Sequence, residues 1–232
     1  GHAFFTLSLG MGAIMVYGSY LPDNASIAKT SIAVSVMDTL VALLAGMAIF
    51  PIVFANGLEP AAGPGLIFQT LPIAFGHMDG GAFFGMLFFV LLVFAAWTSA
   101  ISLIEPAVAW MVENLGITRI YAAGLAGFST WLVGLLTVFS FNIWSEVKPL
   151  SMIPVFAEST IFDLLDYLTA NIMLPLGGLL IAVFAAWLMK RESSVDELAM
   201  GDGFFYRSWR ILVRYITPVA VAIVFLNAIG II

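Results

Sequence analysis

The chain contains no cysteine, which excludes disulfide bonds and thiolate metal sites. Its two histidines, His2 and His77, are lone and far apart and form no metal-ligand pattern. Charge is scarce: Asp, Glu, Lys and Arg make up 9% of the 232 residues, where a soluble domain carries about 25%. So few charges cannot cover a soluble surface. The net charge of −6 sits mainly in loops and implies no polyanion, hence no nucleic-acid partner. Residues 1–21 have neither a basic leading region nor a small-residue cleavage site, so they do not read as a secretory signal peptide.

What is abundant is apolar surface: 62% hydrophobic residues and a mean hydropathy of +1.09. Roughly 20 apolar residues suffice to cross a bilayer, and runs of that length recur along the chain. The pattern predicts an all-α membrane protein with about six crossing segments, at about 3–21, 30–55, 82–112, 118–140, 160–189 and 212–231. The first segment is interrupted at Ser8-Leu9-Gly10-Met11-Gly12. Asn56 to Gly81 is a glycine- and proline-rich loop, whose apolar stretch Leu66 to Phe75 is expected to form short helices over the bundle. No soluble-domain boundary is visible, and residues 1–232 read as a single membrane domain.

Basic residues favour the cytoplasmic side. With the first span running inward, Lys29, Arg119, Lys190, Arg191, Arg207, Arg210 and Arg214 fall in cytoplasmic loops or at their edges, and only Lys148 falls outside. That is a multi-pass protein of an inner or plasma membrane, with membrane lipid as its surroundings. Both termini then lie outside, which leads us to expect a further N-terminal portion ahead of residue 1.

Several polar groups interrupt the apolar runs. Asp38 lies within Ser31 to Phe54. A carboxylate at the centre of a membrane helix costs about 3 kcal/mol or more, so it needs a cation, a proton or a partner unless it sits hydrated at the interface. Ala95, Thr98 and Ser99 share one helix face. Two hydroxyls and a carbonyl make an all-oxygen set for a hard cation, or else bond only their own backbone and neighbouring helices. Ser8 to Gly12 either unwinds the helix, freeing backbone groups toward a cavity, or provides a close contact of small residues. Glu105-Pro106 suggests a bend with an internal hydrogen-bond network or inner gate. Asp163 and Asp166, at the start of the fifth span, are expected to cap it.

Phe4-Phe5-Thr6-Leu7-Ser8-Leu9-Gly10-Met11-Gly12 followed by Tyr17-Gly18-Ser19-Tyr20 resembles the broken sixth helix of the neurotransmitter:sodium symporter family. Asp38-Thr39 with Ala45-Gly46 and Ile49-Phe50 resembles its seventh helix. Phe94-Ala95-Ala96-Trp97-Thr98-Ser99 resembles the eighth and Arg214-Tyr215-Ile216-Thr217-Pro218 the eleventh. The matches run in order over essentially the whole chain. The resemblance implies a partial inverted-repeat transporter fold whose first five helices, and any twelfth, are absent from residues 1–232.

It also implies roles. Thr6 and Asp38 match a first sodium site, with Asp38 at a position where many relatives carry asparagine. The Ala95 carbonyl and the Thr98 and Ser99 hydroxyls match a second. Phe5, Ser8, Met11, Ser99 and Leu103 match the substrate pocket, Phe5 as its outer lid, and Asp166 matches an outer-gate acid. Ala42 stands near the serine position of chloride-dependent relatives, so Asp38 is expected to supply the negative charge and chloride to be unnecessary. The expected activity is sodium-coupled symport of a neutral, hydrophobic or aromatic amino acid, with no organic cofactor, once the missing N-terminal half is present. The alternative is a non-transporting membrane subunit or truncated fragment of such a transporter. An intramembrane hydrolase lacks a catalytic partner for Asp38.

Overall fold

The computed structural model describes residues 2–22, 24–57 and 64–231. The described residues form an all-helical membrane protein. The first apolar segment is split into α1 (His2–Thr6) and α2 (Ala13–Ser19). Five helices are long and apolar enough to cross a membrane: α3 (Ile27–Ala55), α5 (Gly81–Leu115), α6 (Arg119–Ser140), α7 (Ile161–Leu188) and α9 (Phe204–Ala228). Between them lie the short helices α4 (Leu66–Gly76) and α8 (Arg191–Leu198).

Prolines shape these helices in a regular way. Pro72, Pro175 and Pro218 each follow a wide, π-type turn, over Leu66–Thr70, Tyr167–Met173 and Leu212–Ile216. Just before each proline, a backbone N–H reaches five residues back: Leu71 to Leu66, Leu174 to Thr169 and Thr217 to Leu212. Proline has no N–H to give to the carbonyl four residues earlier, and the widened turn redistributes the surrounding bonds. In a hydrocarbon medium such compensation decides whether a proline is tolerated.

The contacts group residues into two compact units, 1–30 with 102–232, and 31–101. In the first unit α7 is the central helix and packs against α1, α6 and α9. Its N-terminus is fixed by Asp163, whose Oδ2 accepts 2.8 Å bonds from the Thr160 amide and hydroxyl, while Thr160 Oγ1 accepts from the Asp163 amide. This reciprocal cap satisfies donors that a helix start leaves open. Buried Ser140 links α6 to α7, donating to the Leu136 carbonyl at 2.9 Å and accepting from the Phe162 amide at 3.2 Å.

In the second unit α4 lies on the start of α5, as expected for the apolar stretch after residue 65. The Phe75 ring fits against Gly85, where a Cβ would approach it to 3.3 Å, and Phe75 and Phe88 meet at 5.8 Å between centroids. Along α3 and the most apolar 18-residue stretch of α5 scarcely any residue is buried within the chain. Such helices belong in lipid or against other membrane helices.

The largest boundary difference is at α9, which begins at Phe204 where the hydropathy pattern begins near residue 212. Arg207 and Arg210 make its first turns look like loop. They form an amphipathic helical start with Phe204 and Phe205 exposed.

Candidate substrate and ion sites

The break between α1 and α2 is built by backbone conformation. Ser8, Gly10 and Gly12 have φ of 51°, 92° and 82°, which no α-helix can contain. Gly10 is pressed against α7: a Cβ there would fall 2.7 Å from the Gly178 amide nitrogen and closer still to the Leu174 carbonyl oxygen. A Cβ on Gly177 would in turn strike the Gly10 carbonyl. The unwinding and the close small-residue contact, alternatives in the sequence, therefore coexist at one place. Turn-like bonds hold the segment, from the Leu9 amide to the Phe4 carbonyl at 3.1 Å and from the Met11 amide to the Ser8 carbonyl at 3.3 Å.

On the α7 and α9 side of this break is an apolar cavity of about 250 Å³, lined by residues including Phe4, Ser8, Gly10, Ile181 and Val221. Of the substrate candidates only Ser8 lines it. Phe5 and Met11 lie outside its lining, both exposed, and Leu103 lines a separate groove against α6 with Leu125 and Ser129. Thr6 is exposed at the end of α1.

In the second unit, Asp38 is half-buried and Ala95, Thr98 and Ser99 are exposed on α5. The Thr98 hydroxyl donates to the Phe94 and Ala95 carbonyls, 3.0 Å each. That contact brings two members of the expected oxygen set together. A hydroxyl has one proton and two lone pairs, so donating inward leaves its oxygen able to accept a cation from outside the helix. Backbone bonding and ion binding by Thr98 are thus compatible.

Asp166 is exposed and makes no cap hydrogen bond; capping falls to Asp163 alone. Asp166 instead borders a groove of about 540 Å³ between α6 and α7, with Thr130, Thr137 and Thr169.

Glu105 is a buried acid, 6% exposed. Its Oε1 accepts a 2.6 Å bond from the Tyr20 hydroxyl and another from an Arg119 nitrogen. Charge-assisted bonds of this length compensate a buried carboxylate. Tyr17, edge-on to Tyr20, donates to Ser102 Oγ at 3.1 Å, a second link from α2 to α5. The sequence singled out Glu105 but not these partners. An acid next to a proline, 14 residues ahead of the arginine that opens the next helix, was the available signal.

Comparison with known proteins places this geometry. A sequence profile of the sodium:neurotransmitter symporter family matches residues 1–231. A Bacillus subtilis protein described as an uncharacterized sodium-dependent transporter is 37% identical over 235 residues, covering 100% of this chain and 50% of that protein. A Haemophilus influenzae protein of the same description is 34% identical over 228 residues, covering 98% and 48%. The crystal structure of MhsT in complex with L-phenylalanine superposes with a TM-score of 0.87 at 39% identity, covering 97% of this chain and 50% of MhsT. The chain spans about half the length of the curated relatives it matches.

Proposed function

The chain belongs to the sodium:neurotransmitter symporter family, and from that premise we propose that it forms part of a sodium-coupled symporter of neutral, hydrophobic or aromatic amino acids. On this reading, transport by alternating access needs the rest of the length that the relatives have. The observation that carries this reading is the helix break at Ser8–Gly12, clamped by Gly10 against Gly178. Backbone freed in this way at membrane depth lines ion and substrate sites in broken-helix transporters.

Ala95, Thr98 and Ser99 are proposed ligands of one sodium ion, supported by the 3.0 Å Thr98–Ala95 contact. Thr6 and Asp38 are proposed to supply oxygens for sodium, Asp38 also serving as fixed negative charge in place of chloride. Asp166, exposed at the groove edge, is the proposed outer-gate acid. Phe5, Ser8, Met11, Ser99 and Leu103 are proposed to contact substrate. Phe5, Met11 and Leu103 present apolar surface, against which an unpaired charged side chain would lose its hydration without return. Met11 is unbranched and adapts its shape to large side chains. Similarity to a structure holding L-phenylalanine supports the same class.

The test is uptake by the complete transporter in liposomes, with and without an inward sodium gradient, across the amino acids. The expected result is sodium-driven accumulation of leucine, methionine, phenylalanine, tyrosine or tryptophan, with lysine and glutamate excluded. Preference for charged or very small substrates would overturn the substrate class, and uptake indifferent to sodium would overturn the coupling.

A further inference from the structure

We propose that the arginine groove between α8 and the start of α9 binds the phosphate of an anionic phospholipid from the cytoplasmic leaflet. The groove, about 450 Å³, is lined by Arg191, Arg207, Arg210 and Arg214 with Tyr206 and Tyr215, and by no acidic residue.

The four arginines are unequally satisfied. Arg191 is held by both oxygens of Asp202. Arg210 donates to the buried Tyr206 hydroxyl at 2.8 Å and points its second nitrogen to the Ala186 carbonyl at 3.5 Å. The Tyr206 hydroxyl is itself 2.6 Å from Ser194 Oγ, so this side of the groove is a fixed polar scaffold. Among the described residues Arg207 pairs with Asp202, shared with Arg191, at 3.7 Å. Arg214 lies over the Trp187 ring, 4.5 Å from its centroid, and its buried Nε has no hydrogen-bond partner among the described residues. The exposed Arg207 and the part-buried Arg214 thus line a groove whose remaining wall is held by the Tyr206, Ser194 and Arg210 hydrogen bonds. Guanidinium forks match phosphate oxygens in geometry as well as charge.

The surroundings select a lipid over a free anion. Phe204 and Phe205, beside the groove on the first turn of α9, are 79% and 75% exposed, and Ile211 and Tyr215 are also exposed. An amphipathic helix start with aromatic residues on one side and arginines on the other fits the headgroup level of a bilayer. The distribution of basic residues puts it on the cytoplasmic face, where anionic lipids concentrate. Phosphate would sit between Arg207 and Arg214 while acyl chains run along the exposed apolar residues.

The experiment uses the complete transporter in phosphatidylcholine nanodiscs and in detergent, with lipid binding read by native mass spectrometry. Phosphatidylglycerol should bind, with affinity falling about fivefold for each arginine removed in Arg207→Gln, Arg214→Gln and the double variant. Arg207 is exposed, so its variant keeps the fold even if Arg214→Gln does not. Lys148→Gln, on the opposite side, should leave binding unchanged. Phosphatidylcholine binding as well as phosphatidylglycerol would overturn the proposal, as would undiminished binding by Arg207→Gln and the double variant. Inorganic phosphate displacing the lipid at equal concentration would identify a free-anion site and overturn the lipid assignment.

Discussion

The Tyr20 hydroxyl donates a 2.6 Å hydrogen bond to Glu105 across 85 positions of sequence, tying the end of the broken first segment to α5. Arg119 reaches the same oxygen, so the carboxylate joins three elements. A hydrogen bond to a charged group contributes about 1.5–3 kcal/mol. Tyr20→Phe should therefore lower the melting temperature of the complete transporter by several degrees. Glu105→Gln should lower it further, because Arg119 loses its buried counter-charge. Melting curves by intrinsic fluorescence check both, and an unchanged melting temperature in each would remove the network from the account.

Gly10 combines a φ of 92° with backbone on all near sides. Gly10→Ala should cost about 1–3 kcal/mol, from left-handed strain together with overpacking against backbone that cannot yield. Gly177→Ala meets the same obstacle from the α7 side. Gly18→Ala, where a Cβ meets nothing within 4 Å, is the matched control. Thermal unfolding of the three variants should separate the first two from the third; equal behaviour would show that the clamp is not tight.

Much of this architecture was legible because hydrocarbon imposes a simple rule, that crossing segments are long, apolar and helical. The short helix Leu66–Gly76 and the break at Ser8–Gly12 were visible for the same reason, as apolar and glycine-rich departures from the spans. The early start of α9 was not, because Arg207 and Arg210 lower the hydropathy of turns that lie at the membrane edge. Asp163 and Asp166 both stand at the start of one span in the sequence, and only the geometry separates the acid that caps the helix from the one that makes no cap hydrogen bond. Partners distant along the chain, such as Tyr20 for Glu105 or Gly177 for Gly10, need the packing of helices that periodicity alone does not specify.

Thr98 and Ser99 are expected to act on sodium through their oxygens. Replacing both with alanine should raise the sodium concentration for half-maximal uptake by roughly tenfold, equivalent to about 1.4 kcal/mol. Thr98→Ser keeps the hydroxyl and should stay near the parent value. Sodium activation curves on proteoliposomes provide the measurement. An unshifted curve for the double variant would take these residues out of the ion site.

On the proposed role of Asp38 as the counterpart of chloride, transport should be independent of chloride, because Ala42 offers no hydroxyl for that anion. Asp38→Asn should either reduce uptake strongly or introduce a requirement for an anion. Replacing chloride with gluconate in the uptake buffer tests the parent protein and the variant together. Strong chloride dependence of the parent would contradict the assignment.

The ion pair between Arg191 and Asp202 gives the loop around α8 a defined pH response. The hydrogen bond from Arg191 holds the Asp202 carboxyl below its ordinary value, against an opposing contribution from desolvation, and the same bond raises Arg191. A carboxyl depressed in the folded state stabilises it fully above the usual carboxylate range, near pH 4. That stabilisation fades as pH falls through the depressed value, because the folded form must then take up a proton it resists. Helix α8 should accordingly open more readily in acid, while Tyr206 and Arg210 keep its Ser194 contact in place. The measurement is hydrogen exchange of the Arg191–Leu198 amides in the complete transporter between pH 7 and pH 3, corrected for intrinsic rates. Protection should fall in acid for the parent and be low and flat for Asp202→Asn. Equal protection of the parent across that range would show that this pair does not hold the loop.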